Sequence, residues 1–470
     1  MPTLRQRKAR VALIVATFAA AGAIASCKDF LHAENPAAIK PEVLEDTNFI
    51  PLIMNGAMGD FQTIYPLVDY YSAVFTDELR NTHVFSEEVA YDRRDVDSLN
   101  GTHGSLVYAP LQRARWLADS AGGRIRALEG DSANRDLRMA RSLLYAGYGL
   151  VTLAEYECAT PVSTPDRIYS PALNPEDVFA MAIARFDTAA TIAAAAKAAA
   201  TASTASTISA AAKQAIILGA DSVRLAALVG AARAALNMGD KTKATQYASL
   251  VTPFPGGTDF QFRIYFNSNT SFSRIINPLR DRLSGGSGVT SGALSGTPFE
   301  GIDDIRVPYP RNATTGAAQP EATMNGQWVV PNSPTAFSTY NGTKDGVDFA
   351  YDGWLRLASL LEAQYILAEA GGATAANIAF VESRRTSFPS STATTPTTAA
   401  NFLDNLIDQR RRDFYLDGHR LGDIRRYKKL YGKDFYQHGT VPGQTLTFSN
   451  RECLPLNLAE YQNNPAVRNP

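Results

Sequence analysis

The chain has 470 residues, with 45 lysines and arginines against 46 aspartates and glutamates, 45% hydrophobic residues and 19% charged ones. That balance excludes a disordered chain, a collagen-like chain and a small disulfide-stapled scaffold, and it leaves room for a sizeable core. A formal net charge of −1 gives no basic field for nucleic acid, and three cysteines are too few for the usual four-ligand zinc cluster.

The amino terminus carries Arg5, Arg7, Lys8 and Arg10, followed by an apolar and small-residue run over 11–24. As a helix that run reaches roughly 21 Å, short of a hydrocarbon core of about 30 Å, so it predicts a secretory signal rather than a membrane span. Ile24-Ala25-Ser26-Cys27 resembles a bacterial lipobox. The expectation is a signal peptide over 1–26 and a lipidated Cys27 that anchors the mature chain to a membrane, since two or more acyl chains hold stably. Loss of the four basic residues leaves 41 against 46, a net of −5. Outside the cytoplasm disulfides are permitted, and Cys158 and Cys453 remain as an even pair. They are expected to be bonded to each other, with two buried thiols as the alternative.

A polar tether spans 27–40, and 41–470 is expected to be a single domain. Helical patterns dominate it. Leu52, Ile53, Gly56, Ala57 and Gly59 predict a helix with small packing residues. Residues 132–157 predict a longer one, capped at Asp131 or Ser132. Residues 175–197 carry Phe179, Ile183, Phe186 and Ala190 on one face. The Ala/Thr/Ser stretch 193–212 favours helix only weakly. Residues 221–251 predict a hairpin turning at Asn237-Met238-Gly239-Asp240, with tetratricopeptide-like spacing. Residues 253–352 have almost no helical period and many Gly, Ser, Pro, Thr and aromatic residues, the signature of a functional loop region, with short strands expected at 260–266 and 327–330. Helix is expected to return at 353, with Trp354, Leu357, Leu361, Tyr365 and Ala368 as a core stripe. A Ser/Thr/Pro spacer covers 386–398, and 401–418 predicts a final helix.

A search for chemistry returns almost nothing: no HExxH, CxxC, Walker lysine loop or GxSxG. Five unpaired histidines and the Asp345, Asp348 and Asp352 set, which lacks an EF-hand's alternation and distal Glu, predict no metal. The densest charged motif is 410–426. Acids punctuate its bases, so Arg411, Arg412, Asp417, His419, Arg420, Asp423 and Arg425 are read as a structural ion-pair network.

Several segments, in order, resemble the SusD/RagB family of outer-membrane nutrient-binding lipoproteins. Cys27-Lys28-Asp29-Phe30-Leu31 and Asn35-Pro36 resemble its opening, and Phe75-Thr76-Asp77-Glu78 its early acidic segment. Asp304-Ile305-Arg306-Val307-Pro308 is similar to an Asp-Pro-Arg element, with Ile305 in place of proline. Leu355-Arg356-Leu357-Ala358 with Ala368-Glu369-Ala370 resembles a helix motif in which Ser359 replaces an acid. Residues 410–426 resemble the family's arginine-rich motif, with Gly422 where an aromatic is common, and Cys453-Leu454-Pro455-Leu456 resembles the closing segment.

The resemblance implies a mainly α fold, with tetratricopeptide-like helix pairs scaffolding the loop-rich part over 253–352, and few short strands. It implies no enzyme activity and no cofactor. It also implies an outer-membrane location facing the exterior, capture of an oligosaccharide or peptide, and delivery to a SusC-like TonB-dependent barrel. A lipid-anchored helical glycoside hydrolase and a ligand-free helical scaffold remain as alternatives. Sugars offer apolar faces and hydroxyl edges, so aromatic platforms are the expected ligand contacts, with Trp328, Tyr65, Tyr265 and Tyr309 foremost.

Overall fold

The computed structural model describes residues 46–81, 85–164, 168–204, 208–254, 259–266, 354–388, 392–442 and 445–468, with isolated positions between 277 and 307. Cα proximity groups the chain into two units, Met1–Phe49 and Ile50–Pro470. The described part of the first holds a 3-10 turn at Thr47–Phe49. Cys27, the signal and the tether lie outside the described residues.

The second unit is mainly helical. Its first half runs α1 (Ile50–Phe75), β1 (Arg80–Asn81), α2 (Ser86–Asp92), α3 (Ala109–Glu129), α4 (Leu137–Tyr156), β2 (Thr160–Pro161), β3 (Ala172–Leu173), α5 (Pro175–Ala202), α6 (Ala210–Met238) and α7 (Lys241–Ala248). Then come β4 (Gln261–Ile264), β5 (Gly292–Ala293), β6 (Leu355–Ser359), α8 (Leu360–Gly371), α9 (Ala375–Ser387), α10 (Phe402–Asp413), α11 (Arg420–Tyr431), α12 (Leu458–Asn463) and α13 (Pro465–Arg468). The strands form three antiparallel pairs, β1 with β5, β2 with β3 and β4 with β6.

Successive helices pack on one another, α3 on α4, α4 on α5 and α5 on α6. α4 lies in the middle and is buried on nearly every side. It starts later than expected. Gly130–Arg135 is a 3-10 turn, and Asp136 rather than Asp131 or Ser132 is the cap, accepting from the backbone N–H of Arg138 at 2.7 Å.

α5 continues through the Ala/Thr/Ser stretch to Ala202. Its threonines are tolerated because Thr188, Thr191 and Thr201 turn their hydroxyls onto the carbonyls of Ala184, Asp187 and Lys197. The α6–α7 turn falls where the sequence places it. Gly239 takes φ 92° and Asp240 caps α7.

One side chain sets how closely these helices approach. The Phe186 ring of α5 sits between Gly147 of α4 and Gly230 of α6; a Cβ at those glycines would lie 2.6 and 2.7 Å from Phe186 Cε1. Gly230→Ala is therefore expected to destabilise the protein by about 1–3 kcal/mol through overpacking, read as a lowered urea midpoint. An unchanged midpoint would show that the ring can move aside.

Other helix boundaries also differ from the sequence reading. Residues 355–359 are not helical: they form β6, buried at every position and paired with β4. Ser359 then caps α8, its side chain accepting from the N–H of Glu362. The spacing of Leu355 and Leu357 suits a strand as well as a helix, and a free partner edge at β4 decides the matter. The helix expected over 401–418 stops at Asp413, because Leu416 and Gly418 take φ of 55° and 74°; α11 follows it.

Cys158 and Cys453 are bonded, with Cα atoms 5.1 Å apart. The bond fastens the end of α4 to the closing segment beside a parallel bridge between Glu157 and Leu454.

Candidate ligand-binding face

Of the aromatic residues expected to meet ligand, Trp328 and Tyr309 lie outside the described residues, as does 327–330. Tyr65 is corrected. It lies on α1 with 2% exposure, stacks on Phe61, and donates its hydroxyl to the carbonyl of Asp417 at 2.9 Å. Burial pushes its hydroxyl pKa well up. It is a clamp on the turn between α10 and α11, where Tyr156 likewise donates to the carbonyl of Gly418. The helical period of α1 points Tyr65 inward, and its early aromatic neighbourhood hides this from a residue-by-residue reading.

Tyr265 is placed differently. It follows β4 and is 59% exposed. Alternation along β4 puts Gln261, Arg263 and Tyr265 on one side, while Ile264 and Phe266 turn into the core and Phe262 meets Tyr145. The irregularity in the β4–β6 register lies between Phe262 and Arg263 and leaves Leu357 of β6 unmatched, so β4 keeps its alternation.

Beside β4, the half-buried Trp354 carries the Arg263 guanidinium 3.8 Å from its ring centroid. Trp354, expected in the core on a helical stripe, instead sits just ahead of β6, half-buried against the core with Arg263 over its ring. Nothing in the local sequence pairs Arg263 with Trp354 across about ninety positions. Phe260, Phe266 and Phe299, from the same loop-rich stretch, are buried instead.

What holds β6 is the 410–426 motif. Arg356 of β6 donates to Asp417 Oδ2 at 2.6 Å and to the carbonyl of Asp413. Arg233 of α6 pairs with Glu362 of α8 at 2.6 Å. His419 Nε2 accepts from Arg233, and Nδ1–H donates to the carbonyl of Asp417. Burial and then Arg233 hold the His419 pKa down, so it acts as a neutral hydrogen-bonding group. Arg420 meets Asp77, Arg410 and Arg426 meet Asp423, and Arg426 reaches Glu369. Arg411 and Arg412 both hold Asp408, and Arg412 also reaches Asp304.

Arg306 joins Asp304, Asp413 and Gln409, so the middle of the loop-rich segment is tied to α10 by the same cluster. Arg425 departs from the expected network: among the described residues it makes no ion pair, and its Nη1 donates to the carbonyls of Ala154, Glu155 and Glu157 at the end of α4. Among the described residues no set of three or more His, Cys, Asp or Glu forms a metal-binding group.

Residues 312–465 match the sequence model of the SusD family. No curated protein matches the chain. Solved structures that resemble it include surface glycan-binding protein A from Bacteroides uniformis, with 12% identity, 90% of this chain and 99% of that one covered, and TM-score 0.59. A SusD superfamily protein from Bacteroides thetaiotaomicron is 14% identical, with 89% and 98% covered and TM-score 0.59. A SusD-like carbohydrate binding protein from Bacteroides vulgatus is 14% identical, with 90% and 97% covered and TM-score 0.59. The chain is thus SusD-like, in sequence over roughly its last third and in fold over most of its length, as its ordered motifs imply.

Proposed function

We propose that this SusD-like chain is a non-catalytic carbohydrate-binding protein of the cell surface, and that the β4–β6 edge contributes to its ligand face. The observation that carries the reading is the Arg263 guanidinium over the Trp354 ring, on the side of β4 that also bears exposed Tyr265. A planar guanidinium over an indole offers donors for hydroxyl edges, and the phenol ring offers an apolar face for C–H groups. The names of the similar structures, a surface glycan-binding protein and a carbohydrate binding protein, support the ligand class. On this reading Cys27 is lipidated and fixes the body to the outer membrane, and a TonB-dependent barrel receives the captured sugar.

Titration of the purified chain with oligosaccharides of varied linkage, followed by calorimetry, should find one or more that bind. Tyr265→Ala and Trp354→Phe with Arg263→Ala should weaken that binding about tenfold, or roughly 1.4 kcal/mol each, with the urea midpoint little changed. Unaltered affinity in both would remove this edge from the site. Co-purification from native membranes tests the barrel partner and the lipid.

A further inference from the structure

A cleft of ≈ 190 Å³ opens where α4, α5, α6 and α11 meet, with Glu155, Glu176, Glu452, Arg425, Arg426 and Lys429 as its charged lining and Ala154 and Phe179 as apolar wall. Among the described residues all of these charged groups but Glu155 and Arg425 are in ion pairs, Glu176 with Lys429, Glu452 with Lys428 and Arg426 with Glu369. The other five arginines in 410–426 each have a carboxylate within ion-pair distance: Arg410 with Asp423, Arg411 with Asp408, Arg412 with Asp304, Arg420 with Asp77 and Arg426 with Glu369. Arg425 has only backbone carbonyls, all three on Nη1, which leaves Nε and Nη2 uncommitted among the described residues.

The acids around it are occupied or neutral. Glu176 is held by Lys429 and Glu452 by Lys428. Glu157 faces His103 at 3.5 Å. Glu155, only 4% exposed, accepts from Asn237 Nδ2 on Oε1 at 2.7 Å. Burial raises its pKa; Arg233 and the Asn237 bond lower it, Asp423 and Glu362 raise it, and the balance is about 7. Below that pH its carboxyl is neutral and its second oxygen can donate.

The cleft exists in this form because residue 422 is glycine. A Cβ there would lie 2.7 Å from Glu155 Cδ, so any side chain at 422 would displace the carboxyl. We propose that the cleft binds a small carboxylate anion, which takes a salt bridge from Arg425 and a hydrogen bond from the Glu155 carboxyl group, with its carbon against Phe179 and Ala154. The volume equals about six waters at roughly 30 Å³ each, room for acetate. The anion supplies the counter-charge that Arg425 lacks, in a site where burial makes an unpaired charge costly.

Acetate is the probe, with chloride at matched ionic strength as control, read by thermal unfolding and calorimetry at pH 6. A saturable rise in Tm with acetate and none with chloride is expected, at least tenfold weaker binding in Arg425→Met, and a loss of affinity in the wild type of about tenfold per pH unit above 7. Glu155→Gln keeps a donor, so its acetate affinity should stay flat from pH 6 to 8; it carries the test should Arg425→Met fail to fold. Equal effects of chloride and acetate, an undiminished response in Arg425→Met, or a pH dependence surviving in Glu155→Gln would each overturn the proposal.

Discussion

Asp413→Ala is expected to cost about 3–5 kcal/mol of stability, the range for stripping one partner from a buried ion cluster. Asp413 accepts from Tyr365 Oη at 2.5 Å, from Arg384 Nε and Nη2 at 2.9 and 2.7 Å, and from Arg306 Nη1 at 3.1 Å. Burial pushes its carboxyl pKa up, but Arg306 and Arg384 outweigh burial and hold it at about 2. Removing the carboxylate takes away the acceptor shared by the buried Arg306, by Arg384 and by the buried Tyr365 hydroxyl, and leaves Arg306 with Asp304 and Gln409. The urea midpoint at pH 7 measures the effect. A loss below about 1 kcal/mol would mean that Asp304 and Gln409 take over Arg306, and that the cluster is more forgiving than its geometry implies. Because Arg306 lies within the loop-rich segment, the same variant should raise protease sensitivity there before global unfolding.

The second large effect is a pH dependence that one substitution isolates. Glu155 has a folded-state pKa of about 7 against a reference of 4.5. The folded state therefore holds this proton more tightly than the unfolded state, and stability falls as pH rises from about 4.5 through 7. Two and a half units at 1.36 kcal/mol each give about 3 kcal/mol. Other groups titrate as well: His419 is lowered, so it adds stability as pH rises, while Glu78 and Glu157 are raised and act in the direction of Glu155. The clean quantity is therefore the difference between the wild type and Glu155→Gln. The variant should match the wild type near pH 5 and exceed it by up to about 3 kcal/mol at pH 8. A difference that does not change with pH would place the Glu155 proton equilibrium near its ordinary value.

The fold class was legible in the sequence because it rests on local signals. Helix period and the glycine turn at Gly239 act over a few residues, and the helices appear with them. The structural reading of 410–426 was also legible, since interleaved acids and bases at helical spacing have few other uses. Their partners were not. Asp77, Arg233, Arg306 and Glu369 come from distant segments, and local charge pattern carries no information about which of many acids a buried arginine meets.

The same limit explains the misplaced elements. Leu355 to Ser359 has a pattern fit for either state, and only β4 lying alongside makes it a strand. Tyr65 and Trp354 exchange the roles their surroundings suggested, the first being buried under the Leu416–Gly418 turn and the second carrying Arg263 just ahead of β6. Amino-acid order alone determined which stretches coil and which segments hold charge. Three-dimensional packing decided which aromatic faces water and which arginine of 410–426 is left without an acid among the described residues, because burial and ion pairing depend on neighbours brought together only once the chain has closed on itself.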